Sequence, residues 1–186
     1  MRVLVGLEQP KEALVSRCVA GDEAAWASLY ARYASSTAKS LQRLGVAPEA
    51  LDDAVQEVFL QAFRSLDKFR GEAAIKTWLC RLAVTQARRS REKARLAKRI
   101  RQLLALDLAS EMEWDEHQPG QAERLLHAGL NQLSALEREA FVLYELEGQA
   151  GVALAAILGC PEATVYRRLH DARKKFQSFI EREARQ

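Results

Sequence analysis

Three sets of side chains in this sequence have the types and spacing to hold something large. The first is Asp53, Gln56, Glu57, Leu60 and Arg64, which gather on one side of a helix at about 100° per residue. Two carboxylates and a carboxamide on one face suit an arginine-rich partner, because they accept planar, bidentate hydrogen bonds from guanidinium groups. The second runs from Arg81 to Arg101, where basic residues at 81, 88, 89, 91, 93, 95, 98, 99 and 101 face Glu92 alone. So dense a positive charge within one helix is the footprint expected of a polyanion site. The third is Tyr166, Arg167, His170 and Lys174, which project opposite an apolar stripe of Val165, Leu169, Ala172, Phe176, Phe179 and Ile180. A helix that enters the major groove needs this arrangement, with donors and an adaptable aromatic clear of the packing face. Each set also has a plain reading as solvated surface.

Catalytic chemistry finds no such support. There is no glycine-rich phosphate loop, no paired cysteine ligand motif, no Ser-x-x-Lys and no nucleophile elbow. His117, His127 and His170 are scattered, without a cysteine or second histidine at metal spacing. Glu137 and Glu139 read as a helix cap and solvated surface rather than as acid–base pairs. No catalytic residue, metal or cofactor is expected.

The elements that must position these sets are all helical. The 186 residues, 48% hydrophobic and 28% charged, suffice for one domain or two small ones. No apolar run approaches a bilayer-spanning length, and Met1 to Leu7 is too short for a signal peptide, so a cytoplasmic chain without membrane insertion is expected. Cys18, Cys80 and Cys160, odd in number and far apart, read as reduced core or helix residues.

Lys11 to Val19 starts helical, Gly21 breaks it, and Asp22 is placed to cap a second helix carrying Trp26, Leu29, Tyr30, Tyr33, Thr37, Leu41 and Leu44. Gly45 ends that helix and Pro48 opens the next, whose apolar stripe is Val55, Val58, Phe59, Ala62, Phe63 and Leu66. After Gly71, Ile75, Trp78, Leu79 and Leu82 open the basic helix, with Trp78 read as core. Asp107 to Glu123 then carries acids at 107, 111, 113, 115, 116 and 123 and no Lys or Arg, with Pro119-Gly120 inside it, which reads as a flexible linker. Beyond it, Ala122 to Leu133 is helical and Ser134-Ala135-Leu136-Glu137 is a capping box. The helix it opens is expected to bury Leu136, Ala140, Phe141 and Tyr144 and to stop at Gly148. A short helix from Val152 to Leu158, a turn at Gly159-Cys160 and a longer helix with Pro161 at its first position make a helix-turn-helix.

The blocks Asp53-Ala54-Val55-Gln56-Glu57-Val58-Phe59, Ala62-Phe63, Phe69-Arg70-Gly71-Glu72 and Thr77-Trp78-Leu79 resemble region 2 of extracytoplasmic-function (ECF) sigma factors, short subunits of bacterial RNA polymerase. Leu136-Glu137-Arg138-Glu139, Leu146-Glu147-Gly148, Ile157-Leu158-Gly159, Thr164-Val165 and Arg168-Leu169-His170 resemble region 4 of the same family. The resemblance runs from about Asp22 to Phe176, leaving out the linker. It implies an all-α chain of two small helical domains, region 2 over 11–106 and region 4 over 122–186, joined by the acidic linker 107–121.

It also implies partners and sites. Asp53, Gln56, Glu57 and Leu60 would dock on the clamp of core RNA polymerase. Phe69, Arg70, Gly71, Glu72 and Ala73 would form the loop that captures a flipped base of the −10 promoter element, where stacking and edge contacts must return the few kcal/mol that flipping costs. Arg81, Thr85, Arg88 and Arg89 would track that strand. Tyr166, Arg167, His170 and Asp171 would face bases of the −35 duplex, and Thr164, Arg168, Arg173 and Lys174 its phosphates. Base contacts set sequence preference and phosphate contacts set register. An anti-sigma factor is a further partner of this family.

Four departures bear on promoter preference and local stability. Thr85 stands where an asparagine is usual, Arg89 where an aspartate is common, and Asp171 where a basic residue is frequent. Gln149-Ala150-Gly151 lacks the polar cap of the short helix, a local cost of about 1 kcal/mol. The rival readings are a stand-alone helix-turn-helix regulator, which would bind duplex without polymerase, and an anti-sigma-like adaptor, which would direct no promoter-specific transcript.

Overall fold

The computed structural model describes residues 11–66, 69, 74–103 and 120–185, and among these there are helices and turns but no strands. Helix α1 (Lys11–Val19) is turned back by Gly21, whose φ of 83° lies in the left-handed region that side chains other than glycine rarely adopt. Asp22 then caps α2 (Glu23–Arg43), accepting the Ala25 N–H at 3.1 Å, and Arg17 pairs with the same carboxylate at 2.6 Å. The Arg17 hydrogen bond is the main reason the Asp22 carboxyl is held below its ordinary range. Trp26 fastens α1 to α2 by donating from its indole nitrogen to the Cys18 carbonyl at 3.0 Å.

After Gly45 (φ 89°) a single 3-10 turn, Pro48–Ala50, leads into α3 (Leu51–Ser65). The basic helix α4 (Ile75–Leu103) is the longest of the chain at 29 residues. α2, α3 and α4 pack against one another around Leu29, Leu41, Leu44, Val58, Leu66 and Val84, each fully enclosed. The sequence stripe of α3 is displaced at one edge: Ala54 joins the core, whereas Phe63 is 61% exposed and leans on Trp26 with ring centroids 5.0 Å apart. Trp78 is half-buried against the core beside Phe69, as its helical spacing predicts.

The remaining helices are α5 (Gln121–Asn131), α6 (Ala135–Phe141), α7 (Gly151–Leu158) and α8 (Glu162–Glu183). The capping box at α6 is complete. The Glu137 N–H donates to Ser134 Oγ at 3.4 Å, and the Ser134 N–H donates to Glu137 Oε2 at 2.8 Å. The helix does not stop at Gly148 as one regular run; it widens into a π-helical turn, Val142–Leu146, first. Leu130, Leu143, Leu154, Val165, Leu169 and Ala172 form the core here. Phe176 stacks on Phe141 at 4.9 Å and lies so close to α5 that a Cβ on Gly129 would meet its ring at 2.5 Å.

Four expectations are corrected in this half. Leu136 is 46% exposed on the outward side of the first turn of α6, and Ile180 is 38% exposed because it points about 100° away from the neighbouring Phe179, which takes the buried position. Pro161 caps α8 from outside, with ψ of 147°, so Glu162 is the first helical residue. α7 begins at Gly151 rather than at Val152, and Ala150 before it makes no side-chain cap, in line with the missing polar residue there. The expected linker falls almost wholly outside the described residues.

Candidate nucleic-acid and polymerase interfaces

On α3, Asp53, Gln56, Glu57 and Leu60 are all exposed, while Ala54, Val55, Val58 and Phe59 turn inward. The helix thus separates the two faces at the angle its periodicity predicts. Asp53, Gln56 and Glu57 also line an open groove of about 520 Å³ whose other wall is Gln86, Arg89 and Lys93 of α4. The structure therefore brings the expected polymerase-facing carboxylates beside one of the expected strand-binding arginines.

α4 divides its functional residues between two faces. Arg81, Thr85 and Arg89 recur every four residues, with Arg81 and Arg89 exposed and Thr85 half-buried, its hydroxyl donating to the Arg81 carbonyl at 3.0 Å. Thr77, Cys80, Arg88 and Arg91 lie on a neighbouring face that the second half of the chain partly covers, burying Cys80 and leaving the Arg88 side chain 42% exposed. Arg88 makes a bidentate pair with Glu139, Nε to Oε1 at 3.1 Å and Nη2 to Oε2 at 2.7 Å. The hydrogen bond it donates to Glu139 is the chief cause that raises the Arg88 guanidinium above its ordinary value. Phe69 touches Trp78 at 5.4 Å between ring centroids. Arg70, Gly71, Glu72 and Ala73 of the same expected loop lie outside the described residues.

On α8, Tyr166, Arg167, His170, Asp171, Arg173 and Lys174 are exposed, and Thr164 and Arg168 are half-buried. Several are already oriented by neighbours. Arg173 pairs with Glu145 at 2.6 Å and sits 5.4 Å over the Tyr144 ring, and Arg168 donates to Cys160 Sγ at 3.4 Å. Tyr166 lies across the start of α7, where a Cβ on Gly151 would collide with its hydroxyl. Burial, and then the charge of Glu162, push that phenol up. A glycine at position 151 is what lets the aromatic lie flat there.

Sequence reasoning missed the residues that join the halves. Glu139, expected on a solvated surface, is only 1% exposed, because Arg88 and Arg91 of α4 close over it. Arg91 also donates to the Leu44 carbonyl, and Arg138 donates to the Arg43 carbonyl at 2.5 Å and the Gln42 carbonyl at 3.4 Å. These two cations therefore supply donors to the carbonyls at the C-terminal end of α2, of which that of Gln42 also accepts the Gly45 N–H at 2.9 Å. Burial, and then the charge of Arg91, lower Arg138 to about 10. Nearby, Glu147 accepts from Ser40 Oγ at 2.5 Å and pairs with Lys76 at 3.1 Å, and Thr77 Oγ1 donates to Gln149 Oε1 at 2.9 Å. Burial, and then the charge of Glu147, push the Cys80 thiol beside them up to about 11. The one advance signal was the Arg138-Glu139 pair set directly before the buried Ala140 and Phe141.

Two family descriptions match: Sigma-70 region 2 over residues 29–97 and Sigma-70, region 4 over residues 123–176. An ECF RNA polymerase sigma-E factor of Haemophilus influenzae is 32% identical over 180 residues, covering 91% of this chain and 95% of that one. The chain belongs to the ECF family of RNA polymerase sigma factors. The corresponding sigma-E factor of Escherichia coli is 31% identical over 186 residues, at 91% and 94% coverage. Among solved structures, CnrH in complex with the cytosolic domain of CnrY superposes with a TM-score of 0.66 at 24% identity, covering 92% of this chain and 97% of that one. The sigma factor RpoE of Bartonella quintana, solved with the anti-sigma factor NepR, gives 0.64 at 23% identity over 83% and 95%. Both show the fold.

As a member of this family the ECF factor binds core RNA polymerase and directs promoter-specific initiation at −10 and −35 elements. The family is not one of catalytic enzymes. Among the described residues, no group of three or more His, Cys, Asp or Glu could hold a metal, and no helix is long and apolar enough to cross a membrane.

Proposed function

We propose that this sigma factor divides its work among the three surfaces just described, with region 2 spanning 11–106, a linker 107–121 and region 4 spanning 122–186. Asp53, Gln56, Glu57 and Leu60 dock on the polymerase clamp. Arg81, Thr85, Arg88 and Arg89, with the loop Phe69 to Ala73, hold the opened −10 strand. Tyr166, Arg167, His170 and Asp171 read the −35 duplex from the major groove, and Thr164, Arg168, Arg173 and Lys174 fix its register. The observation that carries the reading is the separation of faces on α3 and α8: every base- or clamp-facing residue there is exposed, opposite a face that buries Val55, Val58 and Phe59 on α3 and Val165, Leu169 and Ala172 on α8. The factor works in the cytoplasm, and an anti-sigma factor is a further partner, as the RpoE–NepR complex supports.

The test is transcription from purified components. The chain with core polymerase should give defined start sites on a promoter library, and Arg167→Ala should lose most on promoters that have a −35 element, by about tenfold. Equal loss on templates lacking that element would mean that Arg167 does not read bases.

A further inference from the structure

The seam between the two halves places a carboxylate where the proposed −10 helix would otherwise meet a phosphate. Glu139, at 1% exposure, receives a bidentate fork from Arg88 and a second guanidinium from Arg91, partners 51 and 48 residues away in the chain. Arg–carboxylate and Arg–phosphate forks share one geometry, so the same guanidinium can exchange one for the other. We propose that Glu139 is a docking residue for α4, holding the free chain closed and withholding Arg88 from DNA until a nucleic-acid strand displaces it. This rests on the reading of α4 as the strand-binding helix.

Electrostatics make Glu139 the keystone of the seam. Arg88 and Arg91 converge there, and Arg91 already opposes the charge on Arg138, which reaches to the end of α2. Without the Glu139 charge, these cations would face one another at close range with little solvent between them. Other polar contacts cross the seam, Glu147 with Ser40 and Lys76 and Gln149 with Thr77, and beside them α4 packs on the apolar helix α7. The covering is also one-sided. Arg81 and Arg89 are exposed on the adjoining face and the Arg88 side chain is itself 42% exposed, so a strand can settle there first and take the Nε–Nη2 edge of Arg88 as Glu139 leaves.

The experiment uses the full chain without polymerase, with small-angle X-ray scattering and binding of a labelled single-stranded DNA of about twelve nucleotides. Glu139→Gln keeps the side chain's shape and removes its charge. It should raise the radius of gyration and tighten strand binding about tenfold, the worth of one charge-assisted contact. Glu139→Arg should open the chain as well, and adding Arg91→Glu should close it again. That rescue reads a pair across the seam even where Glu139→Gln disturbs α6. Unchanged scattering in both Glu139 variants overturns the proposal, and so does an expanded chain whose strand affinity stays at the wild-type level. Arg89→Ala, outside the clasp, tests the reading of α4 alone in the holoenzyme. Undiminished promoter opening there sinks that reading, and the occlusion with it, whatever the scattering shows.

Discussion

Glu137 and Glu139 stand two residues apart on α6 and end in opposite surroundings. Glu137 closes a local motif, accepting the Ser134 N–H at 2.8 Å and Lys175 at 2.8 Å. Burial works to raise its carboxyl, but the Lys175 hydrogen bond and both contacts to Ser134 outweigh it, and the group is held below its ordinary range. Ser134→Ala should therefore cost about 1 kcal/mol in chemical denaturation, and Ser134→Gly less, since glycine is tolerated at a cap. A Ser-x-x-Glu spacing is legible because both partners lie within one turn. Glu139 was not legible, because what buries it arrives from another helix, and no local pattern announces a partner some fifty residues away. The same holds for Arg138, whose acceptors are the carbonyls at the end of α2.

At the scale of the element, periodicity supplied angles but not edges. It separated Gln56 and Glu57 from Val55 and Val58 on α3, yet placed Phe63 inside, because the width of the buried stripe depends on where Trp26 comes to rest. Since Gln56 and Glu57 are exposed and make no packing contact in the core, Gln56→Lys with Glu57→Lys should leave helicity unchanged. Affinity for core polymerase should fall at least about tenfold, as expected for like charges brought against an arginine-rich surface. A native-like affinity would remove α3 from the polymerase interface. α5 carries a second consequence. Burial, and then the charge of Arg138, lower the His127 imidazole, against the charge of Glu123. Its folded value is below its unfolded one, so protonation favours the unfolded chain. Stability is thus full above the ordinary histidine value of 6.5 and falls as pH drops below it. Asp22 and Glu137, both lowered, lose their contribution only in more acidic solution, below their ordinary carboxylate values. The melting temperature should therefore decline as pH falls below 6.5, and His127→Gln should flatten that decline.

For the whole molecule, composition and the acidic stretch pointed to two small helical units on a tether, and nothing in them specified that the units dock. Docking is set by which side chains meet across the seam, and this separates two kinds of electrostatics with unequal responses to salt. Screening acts over about 10 Å at 0.1 M and about 3 Å at 1 M, and it weakens exposed pairs far more than buried ones. Glu139 is enclosed, whereas Arg173 and Glu145 meet in the open. Strand binding is more sensitive still, because each phosphate neutralised releases counterions, with a slope of about −0.7 per contact on a log–log plot. Raising salt from about 0.1 M to 0.5 M should strip single-stranded DNA from the free chain while its radius of gyration stays constant. Glu139→Gln should steepen the binding slope by about 0.7 to 1.4, as Arg88 alone or Arg88 with Arg91 joins the strand. If the wild-type chain instead expands in step with losing DNA, then its closure depends on accessible pairs such as Lys76 with Glu147, and Glu139 is not what holds the halves together.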